Sequence, residues 1–163
     1  MKNHRYLASL MLVAVGCGSN LGISATAHHR PAKPEPGQPV PVSAIHRLTV
    51  IADRAVTANG GHPVVWATAV VTTHAKALTS ATPGDTTPRE RLIVYLVTIK
   101  GHFVCNLCTG PAGSRAPTGT YMSLVIDAKT FEGTDSGLSR QPPPVSPASM
   151  GPITHLRVHP HLR

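Results

Sequence analysis

Leu92-Ile93-Val94-Tyr95-Leu96-Val97-Thr98-Ile99 and Thr120-Tyr121-Met122-Ser123-Leu124-Val125-Ile126-Asp127 decide the fold. Both runs are rich in β-branched and aromatic residues, which suit a pleated surface packed on its neighbours. Their near-continuous apolar character predicts central positions in an antiparallel sheet with one face beneath a helix. That helix lies upstream. Ala44-Ile45, Leu48, Ile51-Ala52 and Ala55-Val56 recur at three- and four-residue spacing, with His46, Arg47, Asp53 and Arg54 between them, so one amphipathic helix is predicted over 43–58. Ser43 stands where it can cap the start, and Asn59-Gly60-Gly61 where they can end the helix in a left-handed conformation. Residues 64–72 read as a further strand, although Ala67, Ala69 and the following His74-Ala75-Lys76-Ala77-Leu78 leave a helical continuation open. Thr82-Pro83-Gly84-Asp85 signals a turn and residues 110–119 a long loop. The expected architecture is α+β, a small antiparallel sheet packed against one main helix over residues 43–140.

Outward from this core the chain changes character. Lys2 and Arg5 precede an uncharged run from Leu7 to Val15, then Gly16-Cys17-Gly18, the three-part pattern of a secretory signal. The run is too short for a bilayer span, which takes about 20 apolar residues. Ala14-Val15-Gly16-Cys17 resembles a bacterial lipobox, in which the Cys thiol receives a diacylglyceryl group before cleavage in front of it. Residues 1–16 are thus expected to leave, with Cys17 as a lipidated mature N-terminus held at the membrane. The alternative is a secreted protein cut after Ala27 in Ala25-Thr26-Ala27. Residues 17–42, with five prolines from Pro31 to Pro41, are expected to form a disordered tether, and residues 141–163, opening on Gln141-Pro142-Pro143-Pro144, a disordered tail.

Whole-chain composition agrees with one modest domain and loose ends. The 163 residues are 41% hydrophobic and 13% charged. These values exclude a two-lobed enzyme, a charge-rich disordered polymer and a polytopic membrane protein.

The order of helix, Asn-Gly-Gly, Val94 to Gly101, loop, and Leu124-Val125-Ile126-Asp127-Ala128-Lys129-Thr130 resembles a PepSY-type module, whose hairpin ends in a strand followed by Asp-Ala-x-Thr-Gly. Phe131 stands where that family has Gly. The resemblance implies an exported module with an inhibitory or protein-binding role and supplies no catalytic residues.

Candidate chemistry concentrates in His102-Phe103-Val104-Cys105-Asn106-Leu107-Cys108. In an oxidising compartment with Cys17 lipidated, Cys105 and Cys108 are expected to form a disulfide. A redox dithiol, a metal site with His102 (His74 or the tail supplying a further ligand) and free thiols are the other readings. His155, His159 and His161 flank prolines in the expected tail, where geometry is not fixed, so no metal or cofactor is assigned. Thr134-Asp135-Ser136-Gly137 resembles the nucleophile segment of chymotrypsin-like proteases, but a core of this size cannot build two barrels, and Asp135 to Gly137 read as a turn after the last strand. A formal charge of +8 raises the question of nucleic acid. The basic residues are dispersed and aromatics are 4% of the chain. No nucleic-acid stripe is therefore expected, and an envelope protein or anionic wall polymer is the expected partner. The resulting expectation is a non-enzymatic binding lipoprotein of the cell envelope; the alternative is an exported thiol-redox or metal-dependent enzyme using His102, Cys105 and Cys108.

Overall fold

A computed structural model describes residues 33–61, 63–81, 91–105, 108 and 115–159. Cys17, the signal, the first part of the expected tether, the 82–85 turn and His161 lie outside the described residues. In chain order the elements are α1 (Val42–Ala58), β1 (Trp66–Thr73), α2 (His74–Ala81), β2 (Ile93–Val104), β3 (Thr118–Asp127), β4 (Gly133–Ser139), a 3-10 turn at Pro147–Ser149, and β5 (Thr154–Leu156). The strands form one antiparallel sheet in the order β4-β3-β2-β1-β5. The fold is α+β as the sequence implies, with β2 at the centre and β3 beside it.

Alternation along the strands sorts side chains onto two faces. Ala67, Val71, Val97, Ile99, Met122 and Ile126 share the first face with α1, whose Ala44, Leu48, Ala52 and Val56 form a buried stripe at four-residue spacing. Each fully buried aliphatic side chain there contributes roughly 1.5–3 kcal/mol. The helix starts earlier than a cap at Ser43 would allow. Pro41 occupies the cap position with φ −57° and ψ 137°, and no side chain caps the helix; Ser43 sits inside the first turn. Proline's fixed φ defines the entry instead. At the other end Gly60 takes φ 59°. That conformation is inexpensive for glycine. Asn59 donates its side-chain amide to the Ala55 carbonyl at 2.8 Å.

The second face is covered piecemeal. Strand β1 gives way to α2 at His74, so the strand and helix readings of this stretch each hold for half of it. The helix places Ala77 against Val70, Val94, Leu96 and Val125. Residues 140–153 do the rest. They leave β4 at one edge and reach β5 at the other, so they must cross the sheet, and Val145 and Met150 pack in the second-face cluster. Ser80 Oγ donates to the Val145 carbonyl at 2.9 Å and fastens the crossing to α2.

Both expected loose ends are therefore shorter than composition implies. At the C-terminal side the segment expected as a tail is a strap followed by β5, with Leu156 buried in the first core and the His159 backbone N–H donating to Asp53 Oδ1 at 2.7 Å. Prolines suit such a strap because they bring no N–H that burial would orphan. At the N-terminal side Gly37 N–H donates to the Val71 carbonyl at 3.1 Å, and Val40 is buried in the first core.

The expected turn at Asp135 to Gly137 is instead the middle of β4. Its Gly-Thr-Asp-Ser-Gly-Leu-Ser sequence carries no apolar strand signal because the strand lies at the sheet edge, half-buried, and is held by backbone pairing with β3.

Candidate binding surface

Cys105 and Cys108 are joined as a disulfide, with their Cα atoms 5.4 Å apart, just beyond the end of β2. The Cys105 N–H donates to the Pro117 carbonyl at 2.8 Å, which ties this small loop to the start of β3. His102 is exposed on β2, in the stretch where the β2–β3 register shifts between Lys100 and Phe103. Among the described residues no group of three or more His, Cys, Asp or Glu is gathered closely enough to hold a metal ion. His155 is exposed on β5, and His159 meets α1 through its backbone.

His74 and Asp135 form a polar contact that neither segment announces. The first residue of α2 and the middle of β4 lie 61 positions apart in sequence, yet His74 Nε2 and Asp135 Oδ2 are 2.8 Å apart beneath the second face. The imidazole is almost fully buried and the carboxylate about four-fifths so. Ser136 follows Asp135 in β4 and therefore faces the other side of the sheet, opposite Leu124. The pair thus acts as a clamp between α2 and the edge strand.

The accessible chemistry of the second face collects at one end of the strands. Trp66 stands opposite Lys100, and Lys100 opposite Tyr121, so one row runs across β1, β2 and β3. The two rings meet across the central strand with centroids 6.2 Å apart and planes at 59°. Tilted pairs at such a separation are favourable. Lys100 Nζ lies 5.7 Å from the Tyr121 centroid. That is inside cation–π reach. Trp66 is 36% exposed, which is high for a tryptophan on a strand whose next six residues are all buried. Directly inward, Thr68, Thr98 and Ser123 form a buried row of hydroxyls, and Thr98 Oγ1 has no hydrogen-bond partner among the described residues.

Charged groups stand at both ends of the strands. Beside the aromatic row lie Lys100, Arg140, His155 and Arg157, Arg140 reaching Thr118 Oγ1 at 3.3 Å. The carboxylates of Asp127, Glu132 and Asp135 sit toward the far end of β3 and β4. Six residues of strand separate Asp127 from Tyr121, a span of roughly 20 Å. At that far end Asp127 Oδ1 accepts from the Lys129 and Thr130 N–H groups at 2.7 and 3.0 Å. An aspartate bonded in this way shapes the turn into β4. The same turn holds Phe131 at φ 64°. A glycine would occupy this left-handed region without cost. The Phe131 ring offsets the penalty by packing 5.5 Å from the Tyr95 ring, with the Arg47 guanidinium 4.0 Å over its face. A guanidinium so placed is attracted to the ring.

Sequence reasoning passed over Trp66, Lys100 and Tyr121 as a unit, and the pairing of His74 with Asp135. Strand pairing unites residues 34 and 21 positions apart (66 to 100, then 100 to 121), and only the register could have exposed the row. No family model, curated protein or solved structure matches the chain.

Proposed function

We propose that this chain is an exported, lipid-anchored envelope protein whose folded part is a non-enzymatic, PepSY-like binding module. The observation that carries the reading is the agreement of two independent features: a signal ending in Ala14-Val15-Gly16-Cys17, and a Cys105–Cys108 disulfide of the kind that persists in oxidising compartments. A diacylglyceryl group on Cys17 would hold the protein firmly, because each buried methylene contributes about 0.8 kcal/mol and two chains are enough for stable anchoring. The accessible row Trp66, Lys100 and Tyr121 supports binding as the role. The likeness to PepSY-type modules is supported by Phe131, whose positive φ keeps the backbone form that suits a glycine at that place in the motif.

Replacing Cys17 with Ser and following the product through fractionation tests the anchor. The expected result is release from the sedimenting envelope. A Cys17→Ser chain that sediments as completely as the parent would overturn the lipid, and a mature chain beginning at His28 would replace it with simple secretion.

A further inference from the structure

We infer that the basic, aromatic end of the second face is the binding site of the module and that it takes an anionic polysaccharide. The inference rests on the reading of the chain as an exported binding module and adds the site and the ligand class. Three observations carry it. First, Trp66 and Tyr121 gather two rings, centroids 6.2 Å apart and Trp66 36% exposed, on one stretch of sheet, and aromatic rings are the side chains on which the apolar faces of sugars pack. Second, Lys100 lies between them in register, so a charged group on the sugar meets an ammonium at the position where the rings hold it. Third, Arg157 follows Leu156, which pairs beside Trp66, and Arg140 follows Ser139, which pairs with Tyr121, so two further cations flank the row. A polyanion is therefore attracted to these cations, whereas at the far end Arg47 and Lys129 stand among the carboxylates.

A linear polymer with one charge per sugar ring matches a row in which a cation stands between two rings.

Trp66 is the chain's one tryptophan, so its emission reports directly on this site. The full-length chain carrying Cys17→Ser, which cannot be lipidated, is titrated with polygalacturonate, a linear polymer with one carboxylate per sugar ring. The expected result is a saturable change in emission that weakens as salt is raised. Tyr121→Ala weakens binding about 5-fold or more, as loss of a stacking ring does. Lys100→Gln weakens binding and flattens the salt dependence, and both variants still unfold cooperatively, Tyr121→Ala at a slightly lower midpoint because it loses its contact with Trp66. Neutral dextran and polyglutamate, which supply rings without charge and charge without rings, bind at least tenfold more weakly. Equal binding of polyglutamate, stronger binding of single-stranded DNA or of phosphatidylglycerol vesicles, no response to polygalacturonate, or unchanged affinity in both variants would each overturn the inference. Because the titrated chain has no lipid, these outcomes are separate from the fate of the anchor, which the fractionation decides.

Discussion

The two faces of the sheet are covered in different ways, and the difference separates stability from function. On the first face a single 17-residue helix lays an unbroken apolar stripe on apolar strand positions, with Leu48, Ala52 and Val56 fully buried. On the second, an eight-residue helix and a proline strap share the work and enclose polar groups: the His74–Asp135 pair, Thr72 and Thr98. Its other end presents Trp66, 36% exposed. A face closed by one helix is packed along its length; a face closed in pieces leaves Trp66 partly exposed at one end.

This division of labour is most severely tested on the first face. Leu48 is a fully buried side chain at the centre of the α1 stripe. Leu48→Ala is expected to cost about 2–5 kcal/mol, read as a lower denaturant midpoint at unchanged slope. On the second face His74→Ala leaves the Asp135 carboxylate without the imidazole. The expected cost is about 1–3 kcal/mol. If His74→Ala proves the more damaging of the two, the assignment of stability to the first face fails.

Tyr95 refines the contrast by pH. Burial on the first face raises its phenol above the ordinary value of 10.0. In the unfolded chain the phenol ionises first, so the folded state holds more protons above that value and stability falls as pH rises from about 10 through the raised folded value. Tyr95→Phe is expected to flatten this alkaline loss, which unfolding curves taken from neutral to strongly alkaline pH would register. The smallest effect belongs to Thr98→Val. The native hydroxyl is buried with no partner among the described residues. The isosteric methyl is therefore expected to be neutral or to stabilise by about 1 kcal/mol. A measured loss of stability would mean the hydroxyl is bonded in solution.

What the sequence made legible follows from how each signal is encoded. Periodicity located α1, β2 and β3 because each carries its own apolar pattern, long enough to read. Strand β4 escaped because an edge strand draws its hydrogen bonds from a neighbour and needs little apolar surface of its own. The strap escaped for a related reason: its prolines look like a solvated tail, while its attachment depends on Val145, Met150 and the Ser80 contact. The disulfide was readable because its partners are local, separated by three positions. The aromatic row and the His74–Asp135 clamp were not, since both are made by pairing between distant segments.

Whether the open end of the second face binds without holding the fold together is decided by one melting experiment on the Trp66→Ala, Tyr121→Ala double variant with and without polygalacturonate. A ligand bound only by the folded state raises the midpoint as its concentration rises. The parent is expected to melt progressively higher as polymer is added, and the double variant to melt a few degrees below the parent, having lost the ring pair, and not to move as polymer is added. A double variant that melts well below the parent without polymer, or one that is stabilised by polymer as much as the parent, would contradict this reading of the two faces.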